Sequence, residues 1–308
     1  MTRRALITGA NGFVGRYLGR HLESIGWEVV RLAHSADVDS PLAVPCDITD
    51  AHQVGAALAE SGDITHVFHL AAISFVPQAV SRPFEVNRVN VVGTANLVRA
   101  ILKLQCRPRL IFASSSAAYG PPASMPLRED HPLNAADPYG RSKAFGERLC
   151  VDAAAQGLDA VRARPFNHSG AGQSDQFALS SFARQLARIA LGKARPVIET
   201  GDLDAKRDFT HVEDVVRAYA LLAEHGQRGE AYNICSGSAA RIGDALDKLI
   251  ALASIRAEVH TDPARARPSD TPELYGDPAK LEALGWRREH TLDDILHDLL
   301  DYWMNAEQ

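Results

Sequence analysis

The chain is poor in cysteine, with four among 308 residues, and in methionine and tryptophan, with three of each. Cys46, Cys106, Cys150 and Cys235 are scattered without a C-x-x-C pair, which suggests neither a zinc site nor a disulfide framework and leaves buried free thiols as the expectation. No run approaches the ~20 apolar residues of a membrane span. The opening "MTRRALITGANG" offers only "ALIT" before polar and glycine residues, too short for the apolar segment of a signal peptide. Excess positive charge is also missing: the net charge is -5, so no general attraction to nucleic acid or anionic membranes is expected, although local basic pockets for phosphorylated ligands are compatible with it. Internal repeats and low-complexity tracts are absent. These absences lead to the expectation of a cytoplasmic protein with no metal, no nucleic-acid partner and no membrane partner.

What is present is an alternation of short β-rich runs with longer stretches of helical period. "RALIT" precedes "GRYLGRHLESIG", "HVFHLAA" precedes "GTANLVRAILKL", and "RLIFASS" precedes "AFGERLCVDAAAQ". That order predicts an α/β fold with a doubly wound parallel sheet and helices on both faces. "AYNIC", residues 231–235, adds a late strand after the helical "VEDVVRAYALLAEHG". Where the alternation weakens, Pro, Gly and Arg become frequent. Residues 1–166 with 208–235 are therefore expected to form a nucleotide-binding Rossmann domain, and 167–207 with 236–308 a smaller α/β substrate-binding domain.

"ALITGANGFVG" places Gly9, Gly12 and Gly15 after the first strand and at the opening of a helix. Glycines there allow a tight turn and close backbone approach, and a helix N-terminus presents free N–H groups to a pyrophosphate. Such loops also serve as plain turns; the position after a strand favours the dinucleotide. At the end of the second strand, where an NAD-selective site carries an acid, the chain has Ala33, His34 and Ser35. NADPH is therefore favoured, with NADH as the alternative; Arg31 and His34 are candidates near a 2′-phosphate, and Arg31 is equally readable as a solvated face residue.

"PYGRSKAFGE" sets Tyr139 and Lys143 four apart on one helix face. An ammonium there would stabilise a phenolate and lower the tyrosine pKa, making it a proton donor or acceptor near neutrality. Taken alone, the pair reads better as an exposed helix with a chance spacing. It occurs with the glycine loop and with "SSS" at the end of the fifth strand, and at this point the sequence resembles the extended short-chain dehydrogenase/reductase family of nucleotide-sugar epimerases, dehydratases and reductases. The landmarks are "TGANGFVG", "CDITD", "HLAA", "NVVGTANL", "SSSAAYG", "YGRSKAFGE", "RPFN", "RDFTHVEDV" and "YNICSG", which span essentially the whole chain.

The resemblance implies that Tyr139 is the catalytic acid/base, Lys143 its partner and Ser115 the active hydroxyl, while Ser114 and Ser116 fall to supporting roles or ordinary strand-end capping. It implies cofactor contacts at Gly9, Asn11, Gly12, Phe13, Val14 and Gly15. His34, Asp47 and Ile48 fall to the adenosine side, Leu70, Ala71, Ala72 and Pro165 line the cleft, and His69 is structural. The family's 4,6-dehydratases carry an acid two places before Tyr119, and some a second just before it; here those positions are Ala117 and Ser116. The resemblance therefore implies a reductase of a 4-keto sugar, or a 4-epimerase that keeps NAD bound, rather than a dehydratase. "GDLDAKRDFTHVEDVV", "RPSDTPELYGDPAKLEALGW" and "ARPFNHSGAGQSDQF" resemble members acting on GDP-sugars, which implies a GDP-sugar substrate held by Asn167, Arg184, Arg207 and Arg267. It also implies a homodimer formed through the helices of "GTANLVRAILKL" and "YGRSKAFGERLCVDAAA", whose apolar residues could equally be internal core.

Overall fold

A computed structural model describes residues 3–34, 43–122, 124–262 and 271–308. Seven strands form the main sheet: β1 (Arg4–Thr8), β2 (Glu28–Ala33), β3 (Ala43–Pro45), β4 (His66–His69), β5 (Arg109–Ala113), β6 (Ala160–Pro165) and β7 (Ala231–Ile234). Their spatial order is β7-β6-β5-β4-β1-β2-β3, and every pairing is parallel. Because a parallel sheet is covered on both faces, its strands read as near-continuous apolar runs; in register, Leu6 sits between Val30 and Val67. The strand order reverses between β1 and β4. A crevice opens there at the carboxyl ends, where ligands bind in open α/β sheets.

Each face has its own core. Leu18 and Leu22 of the helix Phe13–Ser24 pack with Val215, Tyr219 and Leu222 of Val212–His225 on one side. On the other, Val54 and Leu58 of Ala51–Glu60 pack with Leu97 and Ile101 of Gly93–Lys103 and with Cys150 of Pro138–Ala155. Each such buried leucine contributes about 1.5–3 kcal/mol relative to an exposed one. A third core joins Leu186 of Ala178–Ala190, Leu249 of Ile242–Ala253 and Leu299 of Leu292–Ala306. Leu281 and Trp286, in the stretch expected to belong to the second domain, pack back into the first core, and the Trp286 indole donates to the Asp214 carbonyl at 3.1 Å.

Three small sheets join the late segments. Phe209–His211 pairs with Asn167–Ser169, Lys206–Arg207 lies between Ala240–Arg241 and Glu273–Leu274, and Glu258–Thr261 pairs with Val197–Thr200. Cys46, Cys150 and Cys235 are buried free thiols as expected. Cys106 is exposed instead, because it falls in the bend between Gly93–Lys103 and β5. Among the described residues, no helix is long and apolar enough to cross a membrane.

Candidate active site

The glycine loop closes on main chain. Gly9 has φ +70°, and a Cβ on it would lie 2.8 Å from the Ala71 backbone; one on Gly15 would lie 2.3 Å from the Gly9 carbonyl oxygen. Backbone neighbours cannot yield as a flexible side chain would, so larger residues are excluded. The following helix, Phe13–Ser24, is capped by Gly12 with no side-chain hydrogen bond, so no capping side chain claims the N–H groups at its start. A narrow cradle with helix N–H groups at the carboxyl end of β1 suits a dinucleotide pyrophosphate.

The loop opens on a cavity of about 570 Å³. Of the residues expected at the cofactor or the reaction, Gly9, Gly12, Phe13, Val14, Gly15, Leu70, Ala72, Pro165, Ser115, Tyr139 and Lys143 line it. Asn167 and Arg207 line it as well. Asn11 and Ala71 do not. The carbonyl of Asn11 accepts from Arg16 at 3.0 Å, and the Ala71 N–H donates to the Thr8 hydroxyl at 3.2 Å. His34 is exposed and 3.9 Å from the Asp47 carboxylate, whose pKa is lowered chiefly by the Thr49 N–H. Ile48 is buried beneath Gly93. Arg31 pairs with Glu23 at 2.8 Å, so its charge is already partnered.

Ser115 begins the 3-10 turn Ser116–Tyr119, and its hydroxyl accepts the Ala117 N–H at 3.1 Å. That turn aims Ser115 at the helix Pro138–Ala155, which starts on an Asp137 cap with proline at its first turn. The Ser115 hydroxyl faces the Tyr139 phenol and acts to lower its pKa. Burial pushes the Tyr139 pKa up to about 12, and the Ser115 hydroxyl offsets only part of this. Lys143 does not lower it as the sequence suggested: its Nζ donates to the Ala113 carbonyl at 2.7 Å and lies 6.0 Å from the Tyr139 ring centre. Burial also lowers the pKa of Lys143 itself, to about 8. The phenol is thus held as an acid rather than a phenolate.

A buried network missed by sequence reasoning supports this set. The Glu147 carboxylate, one turn beyond Lys143, accepts from the Ser114 hydroxyl at 2.6 Å and is paired bidentately with Arg164 at 2.8 and 2.7 Å. Arg162 adds a contact at 3.1 Å. Arg164 also donates to the Tyr119 hydroxyl, which donates to Asn233. The only sequence signal was Glu147 within "YGRSKAFGE"; nothing in spacing told which cations would reach it. Asn90 is the second such residue. A π-helical turn, Arg88–Val92, turns it inward to accept the Ile73 N–H and to donate to the Ile73 carbonyl and the Ser142 hydroxyl. It ties the cavity loop after β4 to the Tyr139 helix. His69 is structural, as expected: its ring joins Thr8 and Thr94, and burial lowers its pKa to about 3.

On the other wall, Arg207 is partly desolvated, which lowers its pKa, and it donates to the Lys206 carbonyl at 2.7 Å. The neighbouring Asp208 carboxylate is buried and accepts the N–H groups of Ser236, Gly237 and Gly276, pinning two loops beside Arg207. Arg184 is a correction to the sequence reading. It does not line the cavity; its guanidinium is taken by Asp175 and by Glu307 at 2.6 Å, and stacks over Trp303. Arg267 lies outside the described residues. His211, Glu213 and His290 bring potential metal-ligand atoms within 4.8 Å of one another. The two rings stack at 4.3 Å and 21°, so their in-plane lone pairs run side by side instead of converging on an ion. Among the described residues lining the cavity there is no Asp or Glu.

Known proteins resemble the chain in sequence and in fold. The pattern of the family described as GDP-mannose 4,6 dehydratase matches residues 6–299. The GDP-6-deoxy-D-mannose reductase of Pseudomonas aeruginosa is 35% identical over 98% of both chains. A UDP-glucose 4-epimerase of Azospirillum brasilense is 30% identical over 99% of this chain and 93% of that one. Among solved structures, RMD from Pseudomonas aeruginosa complexed with NADPH superposes with a TM-score of 0.90 at 32% identity, covering 99% and 100% of the two chains. The Thermus thermophilus UDP-glucose 4-epimerase complex with NAD gives 0.87 at 29% identity, covering 98% and 99%.

Proposed function

The chain belongs to the GDP-mannose 4,6-dehydratase family, and we propose that it is a reducing member, acting on the C4 ketone of GDP-4-keto-6-deoxy-D-mannose in deoxysugar and polysaccharide-precursor biosynthesis. The product is GDP-6-deoxy-mannose (GDP-rhamnose) or its 4-epimer GDP-6-deoxy-talose. NADPH is the favoured reductant and NADH the alternative. The observation that carries the reading is the pairing of Ser115, Tyr139 and Lys143 with a cavity lining that holds no carboxylate among the described residues. Sugar dehydration needs a base to remove a proton beside the ketone, and Ala117 cannot move one. Ketone reduction needs an acid, and a phenol with a pKa of about 12 is fully protonated at neutral pH.

The glycine cradle would hold the pyrophosphate of a reduced dinucleotide, which would supply the hydride for C4. Tyr139 donates its proton to the developing alkoxide, and the Ser115 hydroxyl orients that oxygen and stabilises its charge. Lys143, fixed by Ala113, would hold the ribose of the nicotinamide half. Arg207 and Asn167 hold the diphosphate end of the substrate, the planar guanidinium fork matching phosphate oxygens. We assign residues 1–166 and 208–235 to the cofactor and 167–207 and 236–308 to the nucleotide sugar. A homodimer fits the exposure of Phe84, Val92, Phe145 and Val151 on the neighbouring helical segments of one face.

Purified protein mixed with GDP-4-keto-6-deoxy-mannose and NADPH should consume the reduced nicotinamide, with product stereochemistry read by NMR. No consumption would overturn the reading. The identity to the Azospirillum brasilense epimerase favours a second reading, a 4-epimerase; release of tightly held NAD on denaturation, with sugar interconversion in the absence of added reductant, would select it.

A further inference from the structure

His168 belongs to none of the roles above. It follows Asn167 in the short strand Asn167–Ser169, is half-buried, and lines the cavity. Its ring lies parallel to Phe13 of the glycine loop, with centroids 6.3 Å apart and planes 2° off parallel. On its other side the main chain is anchored: Gln173 donates to the His168 carbonyl at 2.8 Å and accepts from the Ser169 hydroxyl at 2.5 Å. The ring therefore has a fixed place at the seam between the cofactor loop and the substrate wall.

Nδ1 of His168 lies 3.0 Å from the carbonyl oxygen of Phe166. A carbonyl oxygen only accepts, so Nδ1 carries the proton, and in the neutral ring Nε2 is then an acceptor. Burial lowers the imidazole pKa, with the Phe166 carbonyl opposing in part, which keeps the ring neutral at neutral pH. Nε2 has no hydrogen-bond partner among the described residues. The ring can thus offer the cavity one polar interaction, a lone pair. That lone pair repels phosphate and ketone oxygens and accepts from a hydroxyl. Arg207, three residues before the strand partner of His168, has the opposite preference.

We propose that His168 is a specificity-determining residue whose Nε2 accepts a hydrogen bond from a sugar hydroxyl of a bound nucleotide. The hydroxyl belongs to the hexose of the substrate or to a ribose of the dinucleotide. The inference rests on reading the cavity as a nucleotide-sugar oxidoreductase site.

The test uses the full-length protein and two substitutions. His168→Asn keeps a short donor for the Phe166 carbonyl and loses the reach of Nε2; His168→Gln restores an acceptor at that reach. Calorimetric titration with NADPH and with the non-reacting GDP-mannose gives affinities independent of turnover. The asparagine variant should bind one of the two about three- to tenfold more weakly, the loss of one neutral hydrogen bond, and glutamine should recover most of it. A change confined to GDP-mannose identifies the hexose; a change confined to NADPH identifies a ribose. If the wild type binds NADPH but not GDP-mannose, the substrate reading fails on its own, and UDP-glucose replaces GDP-mannose as the hexose probe. Wild-type affinity of the asparagine variant for NADPH and for the bound nucleotide hexose would overturn the contact. So would equal loss of both ligands in both variants with a lowered Tm, which marks a merely structural residue.

Discussion

Nζ of Lys143 donates to the main-chain oxygen of Ala113 at 2.7 Å, tying the helix that carries Tyr139 to the end of β5, two residues before Ser115. The position of the ammonium is fixed by backbone, and its charge is held in a desolvated place. For Lys143→Met we expect opposite effects on activity and stability. The rate of nicotinamide-dependent turnover should fall about 10²-fold or more, as the ammonium that would position the nicotinamide ribose is lost.

The pH dependence of stability follows from the same lysine. Its folded pKa, about 8, is below the ordinary 10.5, so between those values the unfolded chain binds more protons and stability rises with pH. Below about pH 8 the destabilisation is felt in full. Methionine should therefore raise Tm at pH 7, with the gain over wild type shrinking toward pH 10 in calorimetric scans; a gain that grows with pH would contradict the assignment. In kinetics, the wild-type rate should fall above about pH 8, and the methionine variant should lack that limb, since Tyr139 stays protonated until about 12.

Glu147→Gln leaves Arg164 and Arg162 without their shared carboxylate in a buried site. Breaking one side of a buried pair costs about 3–5 kcal/mol, to be read as a lower urea midpoint. Burial acts to raise the Glu147 pKa, yet the paired guanidinium of Arg164 and the Ser114 hydroxyl hold it below its ordinary 4.5. Its stabilisation is thus present above pH 4.5 and lost as pH falls below it, and the glutamine variant should lose less stability on acidification than the wild type. Identical acid unfolding of the two proteins would refute this.

Gly15→Ala drives a Cβ to within 2.3 Å of the Gly9 oxygen and 2.8 Å of Ala10. The loop must open to accept it, so NADPH affinity should fall by about 10²-fold, with about 1–3 kcal/mol of stability lost to overpacking. Fluorescence titration of NADPH measures the first and thermal unfolding the second. An unchanged Kd would remove the loop from the cofactor site.

Phe145→Glu alters a side chain that is 63% exposed in the isolated chain. It should convert a dimer into a monomer with little change in the fold, as measured by light scattering on a sizing column. A wild type that is already monomeric at micromolar concentration would end the dimer reading.

The main sheet was legible because parallel strands buried on both faces print their apolar runs into the sequence, and the glycine cradle because positive φ and backbone contact admit few alternatives. That Tyr139 and Lys143 share a helix face was legible from the helix period, while their role came only from the ordered set of motifs around them. Their electrostatics were not, since proximity along a helix does not reveal that Lys143 turns to a main-chain oxygen. Glu147 was visible but unpaired in sequence, because its partners lie on β6, 15 and 17 residues away. Arg184 looked like a diphosphate ligand from its surroundings in sequence. Its acidic partner Glu307, 123 residues on, is brought to it only by the packing of the last helix.

The cavity wall that carries Arg207 takes Lys206–Arg207, Ala240–Arg241 and Glu273–Leu274 into one small sheet, and Trp303 on the final helix donates to the Ser180 hydroxyl. A chain leaving the ribosome can therefore complete its six N-terminal strands long before the opposite wall exists. During synthesis the nascent protein presents a cofactor half with an uncovered flank. That flank is closed only when Val215, Tyr219 and Leu222, and later Leu281 and Trp286, reach Leu18 and Leu22, so a chain ending before residue 212 would leave the apolar side of its first helix bare.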